Sequence, residues 1–248
     1  MRMPLVGGSL AESGRQAREL VKRSKTFGRL RRPEEPGSER AVFDGVYSLE
    51  GRDGAQYTNP HVPVHTAQRT WELMQLVNLY RGLEPTRVLE VGTEIGGTLW
   101  HWLQNATPPA LVVSVDDMAS LNPEQRERLP GIWQEWCPEG VQLQTITADS
   151  KDPGTIARVA SLLPEVDFLF IDGDHTYDGV KADWMNYGPM VRPGGLVAFH
   201  DLITPDFGRH VKVPELWREI REAGYPVVEL FADPRENWGG IGVVQVGG

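Results

Sequence analysis

Apolar and polar positions divide this chain into two unequal parts. From Arg87 onward, short apolar runs alternate with amphipathic stretches, the pattern of strand-helix-strand units stacked into a parallel sheet. Strands are predicted at 88–91, 111–115, 143–147, 168–171 and 196–199, with helices between them. Two more runs, 227–231 and 242–246, follow without an intervening helix and are separated by Pro234, Asn237, Gly239 and Gly240. They are predicted to close the sheet as an antiparallel pair, unlike a symmetric dinucleotide-binding fold, whose sixth strand arrives through another crossover. Upstream, Trp71, Met74, Val77 and Leu79 recur at helical spacing, which predicts a helix over 66–80 leading into the core. The expected fold is therefore α/β: a doubly wound, seven-stranded, mostly parallel sheet with an antiparallel C-terminal hairpin. A polar segment with two prolines and a glycine, ending near residue 40, places a soft boundary ahead of it. Residues 1–65 are read as an N-terminal arm and lid, and 66–248 as the sheet domain.

The 248 residues suit one domain of ordinary core size plus such an extension. No run of eighteen apolar residues occurs, and the N-terminus lacks the apolar stretch of a secretory signal, so the expectation is a cytoplasmic protein without a membrane segment. Cys137 is the single cysteine and is read as a packing residue, with no partner for a disulfide or a thiolate cluster. A formal charge of -9 argues against a general nucleic-acid binder. The charge is unevenly spread: residues 13–32 hold eight basic side chains against Glu19, a local +7 that leaves -16 elsewhere. That segment is read as a solvated arm that packs on a sister subunit of a homo-oligomer, with binding to nucleic acid or an anionic surface as the alternative.

In an open parallel sheet, ligands sit beyond the carboxyl ends of the strands. The first strand leads into Glu90-Val91-Gly92-Thr93-Glu94-Ile95-Gly96-Gly97-Thr98, whose glycines allow a tight turn and close approach of a ligand at the next helix start. Glycines alone equally mark a purely structural turn. A dinucleotide fingerprint requires glycine two residues after Gly92, where Glu94 stands. The surrounding carboxylates would repel a pyrophosphate and suit a cationic ligand. Asp116, ending the second strand, is placed to accept hydrogen bonds from ribose hydroxyls, and Asp149-Ser150, ending the third, to meet an adenine amino group.

The fourth strand ends in Asp172-Gly173-Asp174-His175 and the fifth in His200-Asp201. Adjacent strands lie about 5 Å apart, so these ends converge. Asp172 and Asp201 are candidate ligands for a hard divalent cation such as magnesium; alternatively, each caps the helix that follows. His175 titrates near neutral pH and is the candidate proton acceptor, with a structural histidine as the alternative.

From Thr66 to the C-terminus these residues resemble the class I S-adenosylmethionine-dependent methyltransferases. The stretch from Ile171 to Asp183, with Pro193-Gly194-Gly195 and Phe199-His200-Asp201, resembles the branch of cephalosporin-hydroxylase-like proteins and macrolide-sugar O-methyltransferases. This resemblance implies S-adenosylmethionine as cofactor, with Glu90, Gly92, Thr93, Gly97 and Thr98 along its methionine and ribose portion, Asp116 on the ribose, and Asp149 and Ser150 near the adenine. It implies a divalent cation, magnesium in the branch, on Asp172 and Asp201, and His175 as base. His200 stands where the branch often has an acid; it is a candidate third ligand, and imidazole favours softer ions. The implied reaction is O-methylation of a small hydroxylated substrate, a sugar of a secondary metabolite as in antibiotic tailoring, with the cation fixing the hydroxyl and lowering its pKa. Two other readings stand beside it: a non-catalytic protein that holds S-adenosylmethionine for a partner, and a nicotinamide oxidoreductase, which Glu94 and the closing hairpin disfavour.

On the substrate side, 41–65, with Tyr47, Tyr57, His61 and His65, and 204–214, with Phe207, Arg209 and His210, are candidate lids. Trp133, Trp136 and Trp238 are read as core or subunit contacts.

Overall fold

Seven strands form one sheet in the order β3-β2-β1-β4-β5-β7-β6 in the computed structural model, which describes residues 66–203, 210–231 and 238–247. The basic segment 13–32, the boundary near 40, the lid segment 41–65 and residues 204–209 of the second lid lie outside the described residues. The strands are β1 Arg87–Val91, β2 Ala110–Asp116, β3 Val141–Thr147, β4 Val166–Ile171, β5 Val191–Phe199, β6 Val227–Leu230 and β7 Ile241–Gln245. The first five pair in parallel, and β7 runs antiparallel between β5 and β6, the closure predicted from the missing crossover.

Helices cover both faces. On one lie α1 (Thr70–Leu83), α2 (Gly97–Asn105) and α3 (Pro123–Glu135); on the other lie α4 (Pro153–Leu162), α5 (Tyr177–Tyr187) and α6 (Val213–Glu222). Alternation along each strand assigns the faces. Val88, Phe168 and Phe170 pack with Leu73, Leu76 and Trp102, whereas Leu89, Val91, Leu169 and Ile171 pack with Val159, Val180 and Trp217. Central strands buried on both sides explain why their sequences read as near-continuous apolar runs.

Two elements differ from the sequence expectation. Helix α1 begins at Thr70 rather than 66, because Glu72 turns its carboxylate back to accept the Arg69 amide at 2.8 Å and caps the helix there. This leaves Thr66, Ala67 and Gln68 outside the helix. Pro193-Gly194-Gly195, expected as a turn into the fifth strand, lies inside β5 as an irregularity: Val166 pairs with Val191, but Phe168 pairs with Leu196. The extra residues stay attached to the sheet through β7, since the Gly194 amide donates to the Val246 carbonyl and the Val246 amide to that of Gly195.

At the end of the sheet away from the carboxyl termini, Asp167 ties three elements together. Its carboxylate accepts from the amides of Thr86 and Arg87, the Thr86 hydroxyl, and the guanidinium groups of Arg87 and Arg192. Burial opposes ionisation, yet these bonds hold its pKa far below the usual carboxylate range.

Candidate active site

The sheet's hydrogen-bond ladder continues one residue past the strands and sets the site. The Gly92 amide donates to the Val115 carbonyl, the Asp172 amide to Val91 and the His200 amide to Ile171. Gly92, Asp172 and His200 therefore stand in one row at the carboxyl ends of neighbouring strands. Gly92 has φ +87°, and a Cβ there would lie 2.2 Å from the Asp172 carbonyl oxygen, so no side chain fits. Glu94, which replaces the glycine of a dinucleotide fingerprint, takes up a left-handed conformation itself, with φ +49°.

One cavity of about 610 Å³ is lined by every expected site residue except Glu90. Glu90 lies fully buried beneath the loop and organises it from below. Its carboxylate accepts from the hydroxyls of Thr98 at 2.6 Å and Thr93 at 2.8 Å and from the Trp102 indole at 2.7 Å. Burial pushes its pKa up to about 7, against these three bonds, which favour the charged form. Glu90 thus holds Thr93 and Thr98, two of the residues that line the cavity.

Asp116 lines the cavity and also holds the loop, accepting the amides of Thr93 and Glu94 on one oxygen and that of Met118 on the other. A carboxylate has about four acceptor positions, so roughly one remains for a ribose hydroxyl rather than a pair. Asp149 carries an ion pair with Lys151, which also reaches Asp174 at 3.2 Å. Ser150 also lines the cavity; its hydroxyl donates to Asp183 at 2.6 Å, and its carbonyl accepts the Tyr187 hydroxyl. Two residues one turn apart on α5 thereby clamp the loop after β3.

At the other end, Asp172 and Asp201 face two imidazoles. His175 Nε2 lies 3.1 Å from Asp172 Oδ1 and 3.4 Å from Asp201 Oδ2. His200, 3% exposed, places Nε2 3.2 Å from Glu72 Oε1, while its Nδ1 lies 3.3 Å from Asp172 and 3.5 Å from Asp201, aligned for a hydrogen bond with neither. Asp201 is itself strained, with φ +63°. Neither aspartate caps a helix, because the Thr176 hydroxyl caps α5 and Lys212 precedes α6. The hydrogen bond from Asp172 raises the His175 pKa despite burial. Burial would lower that of His200, but Asp172, Glu72 and Asp201 outweigh it and hold it well above the ordinary value. Asp172 falls to about 2, because the two imidazoles outweigh its burial.

Four residues of the site were not among the candidate site residues of the sequence reading. Gln68 donates to Asp172 Oδ2 at 2.6 Å. Glu72, fully buried, binds His200 and the Gly240 amide. Lys151 supplies the cavity's cationic side chain among the described residues. Trp238, expected as a core or subunit contact, lines the cavity instead, with the Arg69 guanidinium 4.2 Å over its ring. Only Glu72 left a signal: a carboxylate beside Leu73 and Leu76 on the apolar side of a helix needs a buried partner. Trp133 is wholly buried and Trp136 packs against the same core, as expected; Cys137 also packs there.

This seven-stranded, mostly parallel sheet with its antiparallel closing strands has the class I methyltransferase fold. Residues 89–202 match the family described as "Methyltransferase domain". Over 129 residues the chain is 32% identical to an uncharacterised protein, R132, of Acanthamoeba polyphaga mimivirus, covering 52% of this chain and 57% of that protein. Over 73 residues it is 34% identical to the demethylmacrocin O-methyltransferase of Streptomyces fradiae, covering 28% of this chain and 18% of that enzyme. The matched stretch thus spans less than two thirds of either relative. Among solved structures, an O-methyltransferase from Bacillus cereus in complex with S-adenosylhomocysteine aligns with a TM-score of 0.54 at 14% identity, covering 95% of this chain and 99% of that one. A TDP-rhamnose 3'-O-methyltransferase of calicheamicin biosynthesis aligns at 0.53 and 15% identity, covering 96% and 94%. At these identities the likeness is one of fold.

Proposed function

We propose that the chain is an S-adenosylmethionine-dependent O-methyltransferase that acts on a hydroxyl of a small molecule, a sugar of a secondary metabolite. The observation that carries this is a continuous cavity that joins the Gly92–Thr98 loop to the cluster of Asp172, His175, His200 and Asp201. The loop and Asp116 bind the methionine and ribose portion, and the Asp149–Lys151 end receives the adenine. Methyl transfer breaks the carbon–sulfur bond, leaving its electron pair on sulfur as S-adenosylhomocysteine. The new bond forms to the acceptor oxygen, whose proton passes to His175. The sugar acceptor is supported by the short match to demethylmacrocin O-methyltransferase and by the resemblance in the Asp172 and Asp201 loops.

The residues present also fit a divalent cation. Ligand atoms of Asp172, His175 and Asp201 lie within 4.8 Å of one another, and the orphaned Nδ1 of His200 faces the two aspartates. Bound there, the cation would neutralise the carboxylates that raise the His175 pKa and would lower the pKa of an acceptor hydroxyl. Asp172 and Asp201 would hold it, with His200.

The experiment is incubation with labelled S-adenosylmethionine and a panel of hydroxylated glycosides, with chelator and with added cation. Transfer that stops with chelator and returns with cation is expected. Unchanged transfer in Asp172→Ala would overturn the cation role, and tight cofactor binding without transfer to any acceptor would favour a non-catalytic binding protein.

A further inference from the structure

Helix α1 reaches into the site from outside the 89–202 domain match, and it does so through Glu72. Glu72 has no exposed surface, and each of its oxygens is bound: Oε1 by the Arg69 amide and His200 Nε2, Oε2 by the Gly240 amide at 2.6 Å. An acceptor-only group on Nε2 requires a proton on that nitrogen. The other nitrogen, Nδ1, is buried, lacks a hydrogen bond and points between two carboxylates. Two anions facing that nitrogen call for a positive charge between them, either the second proton of an imidazolium or a metal ion that takes the proton's place on Nδ1. Metal-ligating histidines are held in this way, one nitrogen on a carboxylate and the other left for the ion.

We propose that Glu72 is a positioning residue that fixes His200 with Nδ1 toward the cation, and that the site therefore takes a first-row transition cation of the manganese class in preference to magnesium. This rests on the cation reading above. The separations suit it: neighbouring donors around an ion with bonds of about 2.1 Å lie about 3.0 Å apart, and the gaps from His200 Nδ1 to Asp172 and Asp201 are 3.3 and 3.5 Å. An imidazole donor among carboxylates raises affinity for transition ions over magnesium, which prefers oxygen and retains its waters.

The test uses the full chain with manganese(II) and magnesium(II) as probes. Calorimetry should show manganese binding at least tenfold tighter than magnesium, and pulsed EPR of the bound manganese should show nitrogen from a coordinated imidazole. That nitrogen signal should disappear in His200→Gln and persist in His175→Gln. Glu72→Gln, which keeps the volume but sets an amide NH against Nε2 or the Gly240 amide, should weaken manganese binding by roughly 10–100-fold. If that variant does not fold, the wild-type and His200→Gln spectra still decide. Equal affinity for the two ions, or a nitrogen signal that survives His200→Gln, would overturn the proposal. Coordinated nitrogen in a protein that transfers no methyl group would support it and count against the proposed function instead.

Discussion

Glu90→Gln separates the electrostatics of the buried carboxyl from its hydrogen bonds. With a pKa of about 7 against an ordinary 4.5, Glu90 releases its proton in the unfolded chain well before it does so in the folded one. Its contribution to stability is therefore fully present below pH 4.5 and is lost as pH rises to about 7. The whole loss is about 3.4 kcal/mol at 1.36 kcal/mol per pKa unit, of which about 2 kcal/mol falls between pH 5.5 and 8.5. Gln reproduces the neutral acid: its oxygen accepts from Thr98 and Trp102, and its amide donates to the Thr93 hydroxyl, which then turns to Ser114, 2.7 Å away. The variant should thus lack this pH dependence. Measured without cofactor by urea denaturation at the two pH values, its stability relative to wild type should improve by about 2 kcal/mol from pH 5.5 to 8.5, or roughly 4–8 °C in melting temperature. A difference between the proteins that is the same at both pH values would refute the assignment of a neutral carboxyl at this position.

Asp167→Asn should destabilise by about 2–4 kcal/mol, since an amide cannot accept at both oxygens; with its depressed pKa, the wild-type contribution is lost as pH falls into the acid range. Its dissociation constant for S-adenosylmethionine, measured by calorimetry, should stay within about twofold of wild type, because the knot lies at the far end of the sheet. Gly92→Ala should abolish detectable S-adenosylmethionine binding and lower the melting temperature, because the methyl would occupy the space of the Asp172 carbonyl; wild-type binding in that variant would disprove the close approach. Gln68→Leu removes the hydrogen bond to Asp172 Oδ2 and should lower kcat roughly tenfold, at about 1.4 kcal/mol per decade, with cofactor affinity changed less than threefold.

Strand identity was legible because burial on both faces leaves a near-continuous apolar signature, unbroken in Phe168–Ile171 and interrupted in Val88–Val91 by Glu90. The antiparallel closure was legible because two apolar runs without an intervening helix have no crossover to make them parallel. Local chemistry was legible in the same way: Gly92, Asp116, Asp172 and Asp201 each follow directly from a strand end. What could not be read were the partners contributed by distant segments. Gln68 and Glu72 meet Asp172 and His200 across 104 and 128 residues, and no short-range pattern encodes such a contact.

The sequence by itself therefore determined the strands, their crossovers and the row of acidic residues at the carboxyl ends, because periodicity and strand-end position are local properties. Only the tertiary structure decided what those residues do within the folded chain. Glu90 was turned beneath the loop, Asp116 was given three backbone amides to hold, and His200 was set on Glu72 with one nitrogen left facing the aspartates. Each of these outcomes depends on burial and on which donor occupies which oxygen, and the chain acquires both only when α1, α2 and the loops close over the sheet.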